Sequence, residues 1–283
     1  MISFSIIIPL YNKEHTSRQT LESVIQQNYP HFEIIVVDDG SKDQSLQIVQ
    51  EWTDDRIRVF TKENGGPGSA RNFGLQKASF DWAIWLDADD QMLPGSLDAF
   101  STVIGEHPDA DMVVGNFQLN NKGNTCLYQA SYPAGFVNNA FRAWFLKELM
   151  PCAGTYSCRK DLLSRHPFRE DLRRSEDTEM LFHLFREARI FRTNAVVMCY
   201  CRDFSLESHR KTTLAQDFQG HLDFVSKKTF WERICQYELF IEAKNNYPFD
   251  VDATYPDMNR RYLLWIAYHC AFWYRAIHRR IKQ

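Results

Sequence analysis

The sequence predicts an α/β protein built on a mostly parallel sheet with helices on its faces, and three observations carry that prediction. Over the first hundred residues, short β-rich runs alternate with helical patterns, the βαβα order of a parallel sheet. Each polar cluster of that stretch falls directly after a strand. Hydrophobic residues make up 44% of the chain and charged residues 24%, which excludes wholesale disorder and collagen-like structure. At 283 residues the chain is long enough for two units or for one large α/β body.

Taken in order, Ser3 to Ile8 is a short continuous apolar run, a buried strand, and Pro9-Leu10-Tyr11-Asn12 breaks it. Thr16 to Gln27 reads as a helix with Leu21, Val24 and Ile25 on one face, ended by Tyr29-Pro30. Phe32 to Val37 is a second apolar strand running into Asp38-Asp39-Gly40-Ser41. Ser41 followed by Gln44 has the form of a capping box opening a helix through Trp52. Ile57 to Phe60 is a third strand, Gly68 to Lys77 a helix, and Trp82 to Leu86 a fourth strand ending at Asp87-Ala88-Asp89-Asp90. From about residue 106 the pattern becomes α+β. Met112 to Leu119, Thr125 to Gln129 and Ile190 to Tyr200 read as strands, Val137 to Leu149 and Asp177 to Glu187 as helices. Helical spacing dominates from Leu214 onward.

Open parallel sheets bind ligands beyond the carboxyl ends of their strands. Tyr11-Asn12, Asp38-Asp39 and Asp87 to Asp90 stand at three such ends, so the fold brings them to one rim. Carboxylates clustered after a buried strand repel one another unless a cation compensates. Asp87-x-Asp89 suits an oxygen-only Mg²⁺ or Mn²⁺ site, and such a metal keeps waters and takes substrate phosphates. Alone, the motif also reads as a solvated acidic loop capping the next helix. With 33 Lys and Arg against 36 Asp and Glu, the net charge of -3 gives no case for nucleic acid as a partner. Seven cysteines form neither a CxxC pair nor a disulfide ladder, and Cys199 and Cys201 fall on one face of a strand as buried thiols. The opening MISFSIIIPLYNK lacks a basic n-region, so a cytoplasmic protein is expected.

The runs SIIIPLYN at 5 to 12, VVDDGSKDQS at 36 to 45, ENGGPGSARNFGL at 63 to 75, WLDADD at 85 to 90 and SEDTEM at 175 to 180 resemble the family 2 inverting glycosyltransferases of the GT-A fold. The resemblance implies a Rossmann-like, nucleotide-sugar-binding half at 1–105, an acceptor-binding half at 106–210 and a helical C-terminal extension at 211–283. It implies a donor that is a nucleoside-diphosphate sugar, UDP above others, and an acceptor hydroxyl on a glycan or lipid-linked saccharide of a bacterial surface polysaccharide. Pro9, Tyr11 and Asn12 match the segment lining the nucleotide pocket. Asp39 matches the carboxylate that accepts a base N–H, with Asp38 beside it. Gly65, Gly66 and Gly68 let backbone approach the ligand, and Arg71 offsets diphosphate charge. In the D-x-D, Asp87 and Ala88 match the part near the ribose and Asp89 the principal ligand of Mn²⁺ or Mg²⁺. Asp177 matches the general base and Glu176 its neighbour holding donor sugar or acceptor. Arg202 to Arg210 matches a closing loop in which His209 is a third metal ligand or a solvated loop residue, and Arg202 and Arg210 reach the diphosphate or the surface.

Met258 to Gln283 carries six Lys and Arg, no Asp or Glu, and an almost wholly apolar band from Tyr262 to Tyr274. The band is short of the roughly 20 residues a membrane span needs. It suits an interfacial helix on the anionic inner leaflet; the alternative is a final helix packed on the domain or against a second copy in a dimer. Two further functions stay open at this stage: a nucleotidyltransferase, whose Gly-rich loop after the first strand is absent, and a silent sugar-nucleotide or glycan-binding module.

Overall fold

Phe4–Leu10 forms β1 at the heart of the sheet, with every residue but Pro9 buried. In the computed structural model all residues are described except 122, 129, 202–211, 225, 227, 248–249, 256–257, 259–261 and 282–283. β2 (Phe32–Asp38), β3 (Ile57–Thr61) and β4 (Trp82–Trp85) join β1 in parallel in the order β3-β2-β1-β4. The register sets Leu10 opposite Asp38, so β1 and β2 end level and open onto the same rim. Between these strands run α1 (Ser17–Ile25), α2 (Ser45–Gln50) and α3 (Pro67–Lys77).

The chain continues through β5 (Gln91–Met92), α4 (Ser96–Glu106), β6 (Met112–Asn121), β7 (Asn124–Tyr128), β8 (Gly135–Phe136) and α5 (Ala140–Phe145). Then come β9 (Tyr156–Arg159), α6 (Lys160–Arg165), α7 (Glu176–Glu187) and β10 (Ile190–Cys201). The last helices are α8 (Phe230–Asn246), α9 (Val251–Thr254) and α10 (Tyr262–Ile281). β9 pairs antiparallel with β4 on one side and β6 on the other, and β10 lies parallel to β6. Strands from both sides of residue 106 therefore share one ten-stranded sheet.

The period of two along a strand splits the core into two layers. Phe4, Ile6 and Ile8 face Leu21 and Val24 of α1 and Leu97, Phe100 and Ile104 of α4. Ile7, Ile35, Val37 and Trp85 face Ala70 and Leu75 of α3, in a layer that continues into Phe182 of α7 and Ile234 and Phe240 of α8. Gly74 sits inside α3, where glycine costs about 1 kcal/mol relative to alanine. A Cβ there would lie 2.4 Å from Ile7 Cγ2, so the missing side chain is what lets α3 approach β1.

Two expected elements differ. The Ser41–Gln44 capping box does not form, because α2 begins only at Ser45. Ser41 Oγ instead accepts from Asn12 N–H (3.1 Å), and Asp43 Oδ1 accepts from Ser45 N–H (3.0 Å). The helix expected over 137–149 contracts to Ala140–Phe145: Asn139 caps it by accepting from Arg142 N–H (2.8 Å), and Lys147 at φ 58° breaks it.

The C-terminal helix has two unlike faces. Leu264, Ala267, Tyr268 and Ala271 of α10 belong to the α8 layer of the core, and Arg275 donates to Glu238 Oε1 (2.7 Å) and Phe145 O (3.0 Å). Trp265, Ile266, Phe272 and Trp273 lie outside, with Trp273 67% exposed. Among the described residues no helix is long and apolar enough to cross a membrane.

Candidate active site

The carboxyl ends of β1, β2 and β4 and the start of α7 enclose a recess of about 700 Å³. From β1 it takes Pro9, Leu10 and Tyr11, and just beyond them Lys13. Asn12 is not part of the lining. Its backbone is left-handed (φ 52°), and its Oδ1 accepts from Lys42 N–H (2.8 Å), so it ties two loops together instead of facing a nucleotide.

The two acids after β2 separate in the same way. Asp38 is buried and accepts from Ser41 N–H (3.1 Å) within its own turn, outside the lining. Asp39 faces the recess: Oδ1 accepts from Lys62 Nζ (2.8 Å) and Gly65 N–H (2.9 Å), and Oδ2 from Gly66 N–H (2.7 Å). One lone pair of Oδ2 stays open for a ligand N–H. Gly66 has φ 88°, and a Cβ on it would meet Arg173 Nη1 at 2.3 Å, so only glycine lets the backbone and Arg173 share this wall.

Arg71 on α3 is buried beneath the recess. Its Nη2 donates to Asp87 Oδ1 (2.7 Å) and its Nη1 to Glu176 Oε1 (2.9 Å). It offsets the charge of these two carboxylates and also belongs to the lining of the recess. Asp87, Ala88 and Asp89 line the recess after β4. Ala88 O accepts from Thr16 Oγ1 (2.8 Å), which fixes the loop on α1's N-cap residue. Asp89 is ion-paired with Lys13 Nζ. Burial raises the Asp89 carboxyl, Lys13 pulls it back and the Asp87 charge raises it further. Asp90 is buried, accepts from Cys201 N–H (2.9 Å) and is pushed well above the ordinary carboxylate range by burial and by Asp87 and Asp89.

Opposite stand Glu176 and Asp177, the first residues of α7, preceded by Ser175 in the left-handed region (φ 57°). Glu176 is buried on Arg71. Asp177 opens to solvent through the recess, and its Oδ1 accepts from Thr178 N–H (2.8 Å) and Thr178 Oγ1 (3.5 Å). Dense protein around it and the Glu176 charge raise its carboxyl to about 6, against the lowering effect of Arg71. Arg173, Arg174, Tyr200, Thr212 and Gln216 complete the wall with Asn64. These and Lys13 were not singled out from sequence; Arg173-Arg174 standing directly before Ser175-Glu176-Asp177 was the available signal. Arg202, His209 and Arg210 lie outside the described residues.

Among the described residues no three His, Cys, Asp or Glu converge as a ready-made metal site. The donor chemistry of Asp87 and Asp89 nevertheless fits a divalent cation, since two crowded carboxylates facing the recess are the partial, oxygen-only set that a hydrated ion shared with phosphates uses.

The mostly parallel sheet with helices on its faces has the GT-A fold, as a solved structure shows. Staphylococcus aureus TarS 1–349 in complex with UDP-GlcNAc superposes with a TM-score of 0.72 at 23% identity, covering 86% of this chain and 73% of that one. The profile of glycosyl transferase family 2 matches residues 5–166, and the chain belongs to that family. An uncharacterized glycosyltransferase of Rickettsia conorii is 32% identical over 192 residues, covering 66% of this chain and 32% of its own length. The poly(ribitol-phosphate) beta-N-acetylglucosaminyltransferase TarS of Staphylococcus aureus Mu50 is 33% identical over 128 residues, 44% of this chain and 22% of that one. The chain thus spans a third or less of the length of these curated relatives.

Proposed function

We propose that the chain transfers a sugar, with inversion, from a UDP-sugar to a hydroxyl of a glycan or lipid-linked saccharide in bacterial surface polysaccharide assembly, assisted by Mg²⁺ or Mn²⁺. The observation that carries this reading is that Asp39, Asp87, Asp89 and Asp177 line one recess although they come from three separate parts of the chain. The UDP-GlcNAc complex of the similar TarS fold supports a uridine nucleotide as donor.

In this reading the open lone pair of Asp39 accepts the base N–H, and Tyr11 offers its ring beside the base. Asp87 and Asp89 hold the cation, which supplies Lewis-acid stabilisation of the departing diphosphate. Asp177 takes the proton of the acceptor hydroxyl as that oxygen bonds to the anomeric carbon and the bond to the diphosphate oxygen breaks. Attack opposite the leaving group turns an α-linked donor into a β-linked product. Purified protein with a panel of UDP-, GDP- and dTDP-sugars is expected to release nucleotide from one UDP-sugar, and both EDTA and Asp89→Asn should stop it. Release that persists in EDTA would remove the metal from the reading, and absence of binding to every sugar nucleotide would remove the reading itself.

The same proposal places the protein on the cytoplasmic face of a membrane through the outer face of α10, where Trp265 and Trp273 stand exposed. Deleting 258–283 is a poor test, because Tyr268 and Ala271 of that segment are core. The double substitution Trp265→Ser, Trp273→Ser is expected to cut co-sedimentation with phosphatidylglycerol vesicles several-fold. Unchanged co-sedimentation, or loss of self-association in its place, would assign the face to a dimer contact.

A further inference from the structure

Each acid of the recess wall on the donor side already has a cation of the chain's own. Asp39 has Lys62 (2.8 Å), Asp87 and Glu176 share Arg71 (2.7 and 2.9 Å), and Asp89 has Lys13. The Lys13–Asp89 pair is the one that sits on the carboxylate expected to hold a metal. It is largely withdrawn from water, the two side chains being 17% and 16% exposed.

Lys13 is also anchored. Its N–H donates to Ser45 Oγ (2.6 Å), and its carbonyl accepts from Thr16 N–H (3.1 Å) and Ser17 N–H (2.9 Å) at the start of α1. The backbone therefore keeps the ammonium within reach of the rim while the four-carbon stem lets it change partners. A divalent ion arriving at Asp89 alone must displace this ammonium and remain beside it, two like charges in a poorly solvated place. Asp39 and Glu176 are already paired, and Asp87, the second carboxylate of the metal set, carries Arg71 on its Oδ1 and so does not by itself offset that repulsion. A diphosphate changes the balance, because its oxygens accept the ammonium and leave Asp89 to the metal.

We propose that Lys13 is a resident counter-ion which makes divalent-metal binding at Asp89 conditional on a nucleoside diphosphate, to which Lys13 transfers when the donor enters. The inference rests on the glycosyltransferase reading of the recess and adds an order to it. By linkage, diphosphate and metal raise each other's affinity by the same factor, and couplings of this kind are on the order of 5- to 150-fold.

The test is Mn²⁺ binding followed by the electron paramagnetic resonance of the free ion, with no sugar transfer involved. In wild-type protein UDP is expected to tighten Mn²⁺ binding by about tenfold or more. Lys13→Met is expected to bind Mn²⁺ alone about tenfold more tightly than wild type and to show little further gain with UDP. Lys13→Arg, which keeps the ion pair, should behave as wild type, and Asp89→Asn should abolish Mn²⁺ binding in either background, leaving the free-ion signal undiminished by the protein. Equal Mn²⁺ affinity of wild type and Lys13→Met without nucleotide overturns the proposal, as does a gain that survives Asp89→Asn. Circular dichroism of each variant reports folding. UDP binding measured at saturating Mn²⁺ reads the donor site separately: failure there strikes the proposed function, whereas the Mn²⁺-only comparison strikes Lys13.

Discussion

Asp177→Asn is expected to lower kcat by about 10²- to 10⁴-fold, the usual contribution of a positioned general base, with donor binding left near its wild-type value. The pH dependence gives the result a second signature. Burial and the Glu176 charge raise the Asp177 carboxyl to about 6, and the base works only when ionised. Wild-type kcat should therefore fall as pH drops through about 6, and the residual activity of the Asn variant should lack that limb. Stability runs the opposite way. A carboxyl raised on folding binds a proton that the unfolded chain has already released, so its ionisation weakens the fold as pH rises from the ordinary aspartate value of 3.8 toward about 6. Asp177→Asn should thus melt no lower than wild type at pH 7, which separates loss of chemistry from loss of structure. A kcat within a few-fold of wild type would move the base to another residue.

Arg71→Met should produce a large loss of stability, about 3–5 kcal/mol, because among the described ion pairs Arg71 is the partner of both Asp87 and Glu176 and its removal strands them. Glu176, with 6% of its side chain exposed, bears most of that cost, whereas Asp87 at 35% regains water. Urea denaturation at pH 7 reads the difference. Arg71→Lys should restore only part, because an ammonium cannot span two carboxylates with the fork of a guanidinium. Equal urea midpoints for Arg71→Met and wild type would show that the double ion pair contributes little.

Much of this architecture was written in short-range pattern. β1, β2 and β4 are runs of buried apolar residues, and the acids that follow them stand where strand ends must converge, so Asp39, Asp87 and Asp89 were legible before any coordinates. What escaped depends on partners distant in sequence. Asn12 sits among those acids, yet the N–H of Lys42, 30 positions on, occupies its side chain, while Asp38 is turned from the recess by Ser41 N–H in its own turn. Arg71 is 105 positions from Glu176, and Lys13 is 76 from Asp89; no periodicity encodes such pairs. β9 is four residues long and draws its stability from the strands on either side, so its sequence carried no strand signal of its own. The helix predicted over 137–149 failed at Asn139, a good cap residue read as helix interior.

That four-residue strand bears on how enzymes of this architecture change acceptors. Because β9 is stitched between β4 and β6, the strands before and after residue 106 are one continuous fabric and offer no seam at which a cassette can be cut out and another inserted. An exchange of halves would tear the sheet through its middle. Changes to the recess are better made on the rim above it, at 173–177, Thr212 and Gln216, which leaves the weave beneath intact.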